Sequence, residues 1–324
     1  MPYHSKWQDL PTEAINPATL AIDTMPVADI IDLISAEDRR VVAAVHRERD
    51  RIAHGVEIIV AALKKSGRVL LVGAGTSGRL GIVEAAEMPP TFGTSPELVQ
   101  AIMAGGQMAV FRAREGVEDN FEEGARSMAR LKVTKRDVII GVSASGITQF
   151  VRGALTAART KGARIIFVTC WPGTELQTFV DLIIAPSVGP EVIAGSTRLK
   201  AGTATKMVLN MLTTISMIRV GKTYGNLMVD VQTGSEKLRD RAVRIVALVT
   251  GLQPEEAARL LERAKWNVKA AIVMKQAGVS YGLALRKLRS ADDSIREALG
   301  QDLEPTLRRL LAGSDADPTP VDRS

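Results

Sequence analysis

Short apolar runs alternate with longer amphipathic segments through the middle of the chain. The runs are rich in valine and isoleucine, and the segments between them are long enough to be helices. This alternation predicts an α/β fold, because each buried parallel strand needs a helix that returns the chain to the same edge of the sheet. We therefore expect a doubly wound, five-stranded parallel sheet flanked by helices. The predicted strands are residues 69–72, 98–103, 138–142, 165–168 and 182–185.

Helical periodicity marks both ends of the chain. The predicted organisation is a helical segment over 1–55, an α/β domain over 56–230, a small helical domain over 231–312 and a disordered tail over 313–324. Ser35, three residues before Asp38, is predicted to cap a second helix within the amino-terminal segment. Pro254, followed by two glutamates, is typical of the first turn of a helix in the carboxyl-terminal domain.

Composition excludes several classes of protein. The net charge is +6, but acidic and basic residues interleave as on solvated helix faces, so nucleic acid is not an expected partner. The most apolar helix, near residues 204–220, carries Lys206, Asn210 and Arg219, so we expect it in a protein core and not in a membrane. The single cysteine, Cys170, and an amino-terminal sequence unlike a signal peptide favour the cytoplasm. The three histidines lack metal-ligand spacing, so no metal is expected.

A glycine-rich turn follows the first predicted strand. Gly73, Gly75 and Gly78 surround Thr76 and Ser77, and an apolar-periodic segment begins there. Glycines allow the backbone to approach an anion closely, and the N–H groups at a helix start then face it. The pattern G-x-G-x-x-G is weak evidence for a dinucleotide, and the Gly-Lys-Ser/Thr of a P-loop is absent. We therefore predict a phosphate-binding turn at Gly75, Thr76, Ser77 and Gly78.

A second hydroxyl-rich turn follows the third predicted strand. It contains Ser143, Ser145, Gly146 and Thr148. Because ligands of such sheets bind beyond the carboxyl ends of the strands, we expect the two turns to form two halves of one anion site.

The segment 195–203 adds two cations and further hydroxyl groups before a helix. Thr197, Arg198 and Lys200 are its candidate phosphate-binding residues. An ordinary charged surface loop is the alternative interpretation of this segment.

Four longer stretches resemble the N-acetylmuramic acid 6-phosphate etherase family, whose members contain a sugar isomerase (SIS) domain. They read TEAINPATLAIDTMP, GAGTSGRLG with EAAEMPPTFG, GSTRLKAGTATKMVLNMLTT, and KTYGNLMVDVQ with EKLRDRA. The carboxyl-terminal helices are similar to small ubiquitin-associated-type (UBA-like) modules. The resemblance implies a cytoplasmic homodimer without a metal or organic cofactor. It also implies cleavage of the D-lactyl ether of an amino sugar 6-phosphate during recycling of cell-wall sugars.

Two glutamates match the residues to which the family's chemistry is assigned, Glu87 and Glu118. We expect Glu118 to act as the base that removes a proton at C2, and Glu87 as the acid that protonates the departing lactate oxygen. Pro89 and Pro90 are predicted to end the helix that begins near Ser77. Glu87 would then lie at the negative end of that helix, which favours a proton donor.

The distance between the phosphate turn and Glu87 leaves two alternatives. Ser77 and Glu87 are ten residues apart, which is about 15 Å along a straight helix. Either the helix breaks early, or Glu87 serves the active site of a neighbouring subunit near the subunit interface.

The sequence departs from the family pattern next to the second turn. Ile147-Thr148-Gln149-Phe150 stands where the family usually has Arg-Thr-Pro-Tyr, and Ala86 stands where serine is common. Exchange of an arginine beside a phosphate turn is not neutral. Arg198 and Lys200 are the candidates to supply the missing charge. A related amino sugar phosphate stays open as the substrate. A non-catalytic, sugar-phosphate-sensing SIS protein is the alternative function, and an aldose–ketose isomerase is a third.

Overall fold

The computed structural model describes residues 10–300, 302–305 and 307–308. These residues form two compact units. The first contains the described residues up to Met88 and those from Thr94 to Ser216, and the second contains Pro89–Gly93 and the described residues from Met217 onwards. The predicted tail over 313–324 and the first nine residues lie outside the described residues. Within the described residues, no helix has the length and apolar character that crossing a membrane requires.

The first unit is built on a parallel sheet of five strands. The strands run in the order β2-β1-β3-β4-β5 and all pair in parallel, so the predicted α/β fold with a doubly wound sheet is confirmed. Gly73 at the end of β1 pairs with Met103 of β2 and Val142 of β3, which brings the carboxyl ends of these strands together. The strand bounds are Val69–Gly73 for β1, Val99–Met103 for β2, Val138–Val142 for β3, Arg164–Val168 for β4 and Leu182–Ile184 for β5.

Helices cover both faces of this sheet. Ile183 of β5 packs with the side chains on one face, whereas its neighbours Leu182 and Ile184 approach Gly55 on the other. Alternate residues of one strand thus meet different helices, as the period of two in a strand requires. The helices of this part of the chain are α1 (Val27–Arg47), α2 (Arg49–Leu63), α3 (Gly75–Phe92), α4 (Gly106–Phe111), α5 (Phe121–Arg130), α6 (Gln149–Thr160) and α7 (Lys200–Arg219).

Helices α5 and α6 approach each other closely at two glycines. A Cβ at Gly124 would lie 1.9 Å from the carbonyl oxygen of Phe150, and a Cβ at Gly153 would lie 1.9 Å from that of Phe121. Both distances are far inside van der Waals contact, so only glycine fits at either position. The contact therefore joins the first turn of each helix directly to the backbone of the other.

Two of the predicted helix boundaries are wrong. Helix α1 runs without interruption from Val27 to Arg47, so Ser35 lies inside it and begins no second helix. Helix α3 continues through Pro89 and Pro90 to Phe92. Proline keeps a helical φ, but it lacks an N–H and crowds the carbonyl four residues earlier, so it weakens a helix without having to end it. The helix ends before Gly93, where φ is +61°.

The second unit contains the helical carboxyl-terminal region that the sequence predicts. Its core includes Val246, Leu261, Ile272 and Leu288, all fully or almost fully buried. The Lys269 ammonium is buried and pairs with the carboxylates of Asp230 (2.6 Å) and Asp293 (2.7 Å). The helices are α8 (Glu236–Thr250), α9 (Pro254–Arg263), α10 (Val268–Ala277), α11 (Tyr281–Ser290) and α12 (Ile295–Leu299).

Candidate active site

A cleft of about 840 Å³ lies in the first unit at the carboxyl edge of the sheet. Residues that follow β1, β2 and β3 line it, as expected for a ligand site in a parallel sheet. Of the predicted site residues, the lining includes Gly75, Thr76, Ser77, Glu118, Ser143, Ser145, Thr148 and Thr197. The structure therefore brings both hydroxyl-rich turns and one predicted catalytic glutamate to the same cavity.

The turn after β1 provides one helix N-terminus in this cleft. Helix α3 begins at Gly75, whose φ of +54° is left-handed and favours glycine. Gly78 does not line the cleft but allows close packing behind it, because a Cβ there would lie 2.8 Å from Met103 Cγ. Thr76 and Ser77 thus lie in the first turn of α3, where backbone N–H groups have no helical acceptor.

The turn after β3 provides the second helix N-terminus. The Ser143 and Thr148 hydroxyl oxygens lie 2.7 Å apart in a hydrogen bond, and the Gly146 N–H donates to Ser143 Oγ (3.2 Å). Thr148 is the N-cap residue of α6, but its hydroxyl makes no capping bond to the helix. The first N–H groups of α6 therefore remain available to an anion beside Ser145. Gly146 itself lines a smaller side pocket of about 230 Å³, together with Ile147 and Trp171.

Lys200 does not reach the cleft, so the prediction that it supplies charge to the phosphate is wrong. Its side chain is buried and pairs with the carboxylate of Glu37. Burial raises the pKa of Glu37, but the hydrogen bonds and charges of Lys200, Arg40 and Asn16 outweigh it and leave that pKa lowered. Arg198 is exposed and lies outside the cleft lining.

The backbone N–H groups at the start of α7 likewise bind a side chain of the protein itself. The backbone N–H groups of Lys200 and Ala201 donate to the carboxylate of Glu191 at 3.0 and 2.9 Å. Glu191 is buried, so this helix N-terminus already holds an anion from its own chain.

Two arginines that the sequence analysis did not select line the cleft. Arg79 donates to the carbonyl oxygens of Val110 (2.9 Å) and Ala109 (2.8 Å), which fixes α4 beside the cavity. Arg114 is the second, and its guanidinium lies 3.4 Å from the carbonyl oxygen of Gly105. Arg79 stands inside the stretch GAGTSGRLG, so its position beside the predicted phosphate-binding turn could have identified it as a site residue from the sequence.

The two predicted catalytic glutamates occupy different places. Glu118 is exposed and lines the cleft from the short 3-10 turn Val117–Asp119. Glu87 is exposed on α3 and is not part of the cleft lining. Because α3 continues to Phe92, Glu87 lies more than one turn before the helix end, so the predicted effect of the helix dipole on this residue is lost.

A buried carboxylate that the sequence analysis missed lies one turn before Glu87. Glu84 accepts hydrogen bonds from Thr213 Oγ1 and Asn210 Nδ2 of α7. Burial raises its pKa, which these two bonds only partly offset. In the described part of the chain, no group of three or more His, Cys, Asp or Glu residues is arranged to hold a metal ion.

Comparison with known proteins assigns the chain to a family. The SIS domain family matches residues 109–215, and the family of glucokinase regulatory protein N-terminal SIS domains matches residues 51–159. The chain is 50% identical over 296 residues to the N-acetylmuramic acid 6-phosphate etherase of Salinibacter ruber, covering 91% of this chain and 95% of that protein. The chain belongs to the N-acetylmuramic acid 6-phosphate etherase family.

Other members of this etherase family are similar over comparable lengths. The protein of Rubrobacter xylanophilus is 48% identical over 297 residues, covering 92% of this chain and 98% of its own length. That of Geobacillus thermodenitrificans is 47% identical over 292 residues, covering 90% and 99%. The similarity to etherases thus includes both the cleft-forming unit and most of the helical unit.

Proposed function

We propose that this protein cleaves the D-lactyl ether of N-acetylmuramic acid 6-phosphate to N-acetylglucosamine 6-phosphate and D-lactate. The names of its relatives support this substrate. The reaction that we propose is elimination of lactate followed by addition of water, which makes the protein a carbon–oxygen lyase of the cytoplasm. One observation carries the proposal: Glu118 lines the same cleft as two hydroxyl-rich turns at helix N-termini.

In this proposal the two turns bind the 6-phosphate. Thr76, Ser77 and Ser145 provide hydroxyl donors, and the first N–H groups of α3 and α6 provide positive dipole ends. Arg79 and Arg114 supply the positive charge that Ile147, standing where arginine is usual, does not. Ile147 itself lines the cleft, so a related amino sugar phosphate remains the alternative substrate.

The chemistry then requires one base and one acid. Ring opening exposes an aldehyde at C1 and makes the C2 proton acidic. Glu118 removes this proton, the C3–oxygen bond breaks, and Glu87 protonates the lactate oxygen. Water adds to C3 of the unsaturated aldehyde, and C2 regains a proton. Each positioned proton transfer contributes about 10²–10⁴-fold in rate.

We propose further that Glu87 acts in the active site of a partner subunit of a homodimer. An unbroken α3 supports this, because ten helical residues separate Ser77 from Glu87 by about 15 Å. Val83, one turn before Glu87, is 57% exposed, and Ala86 is exposed too. Exposed apolar side chains next to Glu87 are suited to contact with a second copy.

Hybrid dimers test this arrangement. Glu87→Ala and Glu118→Ala chains are mixed, unfolded and refolded together. If Glu87 acts across the interface, each hybrid dimer has one intact and one doubly altered site, so the mixture recovers about one quarter of wild-type activity. If both residues act within one chain, every site lacks one residue and activity does not recover.

Isotope labelling tests the reaction itself. The purified protein is incubated with N-acetylmuramic acid 6-phosphate in ¹⁸O-labelled water, and fragment masses locate the label. Elimination and hydration place ¹⁸O on C3 of the sugar product, whereas direct displacement at the lactyl carbon places it in lactate. N-acetylglucosamine 6-phosphate alone in the same water corrects for exchange at C1.

A sugar-phosphate-sensing regulatory protein is the second candidate. The match of residues 51–159 to the glucokinase regulatory protein SIS domain favours it. Such a protein would bind the sugar phosphate without turnover, so absence of lactate release in the labelling experiment, together with tight binding, would favour the regulator.

A further inference from the structure

The chain segment before α1 forms part of the cleft. We name residues 10–16 the N-terminal strap. Leu10 and Glu13 of the strap line the cleft, together with Gly195 and Thr197. The Gly195 N–H donates to the Thr12 carbonyl oxygen (3.1 Å), and a Cβ at Gly195 would lie 3.1 Å from Glu13 Oε2. The Glu13 carboxylate therefore lies against the backbone of Gly195, in the same cavity as Glu118.

The strap is held on both sides of Glu13. Leu10 and Thr12 are buried, and the Asn16 side chain donates to Glu37 Oε2 (3.1 Å) and to the Pro190 carbonyl oxygen (3.4 Å). Glu37 in turn holds the buried Lys200. Because the backbone is fixed in this way, no cost of ordering this segment of the chain arises when a ligand binds beside Glu13.

Charge decides which part of a ligand Glu13 faces. An ionised carboxylate only accepts hydrogen bonds, and it repels phosphate and the lactyl carboxylate. The groups of an amino sugar phosphate that donate are its hydroxyls and its acetamido N–H. Resting on the proposed function, we infer that Glu13 binds these donor groups and is a substrate-binding residue in addition to the proposed acid and base.

Binding measurements with truncated ligands test this inference. Calorimetry measures the affinity of wild-type protein and of Glu13→Gln for N-acetylglucosamine 6-phosphate, glucose 6-phosphate and glycerol 3-phosphate. Glutamine keeps the shape of the side chain but removes its charge and one acceptor oxygen. Glu97→Gln is the matched control, because Glu97 is exposed and outside the cleft lining. Melting temperatures of all variants confirm that each protein is folded.

We expect Glu13→Gln to weaken N-acetylglucosamine 6-phosphate binding by roughly ten- to a hundredfold, the usual value of a hydrogen bond to a charged group. For glycerol 3-phosphate, which lacks the sugar ring, the affinity of Glu13→Gln should lie within about twofold of that of the wild-type protein. A similar loss with glucose 6-phosphate assigns the contact to hydroxyls, and a smaller loss assigns it to the acetamido N–H. Unchanged affinity for both sugars, or equal loss for all three ligands, would overturn the inference.

The result of the Glu13 binding test can be told apart from failure of the proposed etherase function. The ligands in this test are products and analogues, so their binding does not depend on ether cleavage. A wild-type protein that binds N-acetylglucosamine 6-phosphate but releases no lactate would contradict the etherase proposal and leave the Glu13 comparison valid. Conversely, lactate release with an unaffected Glu13→Gln variant would contradict only the role of Glu13.

Discussion

The buried pair of Lys200 and Glu37 allows a quantitative prediction about stability. Lys200→Met keeps a long side chain but removes the ammonium that neutralises Glu37, which is 2% exposed. Breaking a buried pair from one side costs about 3–5 kcal/mol. Arg40 (3.0 Å) and Asn16 (3.1 Å) still contact the carboxylate, so we expect the lower end, about 3 kcal/mol. This corresponds to a melting temperature about 6–12 °C lower.

The pH dependence of this loss has a definite sign. In the wild-type protein the pKa of Glu37 is lowered, so its stabilising contribution is present above the unfolded pKa and is lost as pH falls through the folded one. Without Lys200, burial dominates, so the folded pKa rises above the unfolded value and acidification relieves the penalty. The stability difference between wild type and Lys200→Met should therefore shrink from pH 7 towards pH 4.5.

Thermal unfolding followed by circular dichroism between pH 4.5 and 8 measures both effects. Glu37→Gln combined with Lys200→Met should recover most of the lost stability, because no uncompensated charge remains. Arg198→Met is the control, since Arg198 is exposed two residues away. The reasoning is refuted if Lys200→Met melts within 2 °C of wild type, or if it stays stable but loses affinity for sugar phosphates.

Four further outcomes are expected. Glu118→Gln should lower kcat by about 10²–10⁴-fold in a lactate-release assay, with sugar-phosphate affinity retained. Turnover in D₂O should leave deuterium at C2 of the sugar product by mass spectrometry. The free energy of unfolding of Glu84→Gln, relative to that of wild type, should increase as pH rises. The pKa of Glu84 is raised in the folded protein, so its ionised carboxylate destabilises the fold, and glutamine removes that cost. Equal pH profiles of the two proteins in urea unfolding would contradict this. Gly78→Ala should lower the free energy of unfolding by about 1–3 kcal/mol and weaken phosphate binding, because the alanine Cβ would lie 2.9 Å from the Gly73 carbonyl oxygen.

The parts of the fold that sequence predicted are those with local signals. Each strand is a run of apolar residues bounded by a turn, so its position could be read within one or two residues. Both hydroxyl-rich turns follow such runs, and the parallel arrangement of β1 and β3 then brings them to one cleft. Glu118 also reached this cleft, although its own neighbourhood of acidic residues gave no indication of it without the family resemblance.

Sequence-based prediction failed for residues whose position depends on contacts with distant parts of the chain. Lys200 looked like a cation for phosphate, but its partner Glu37 lies 163 residues away in sequence. Glu13 was missed because the strap reaches the cleft through contacts with residues 190 and 195, which no local pattern indicates. The prolines of α3 were misjudged for a different reason: proline weakens a helix near its end but does not have to stop it, and Gly93 does.

The glycine pair between α5 and α6 has a consequence for the shape of the cleft. Gly124 rests on the backbone of Phe150, two residues after Thr148, and Gly153 rests on that of Phe121, three residues after Glu118. The contact thus acts as a spacer of fixed length between the proposed proton-abstracting residue and one of the proposed phosphate-binding turns. Residues outside the cleft lining thus set the distance between Glu118 and the turn after β3. Variants with altered substrate preference should be sought in this contact between α5 and α6, as well as among the side chains that face the cavity.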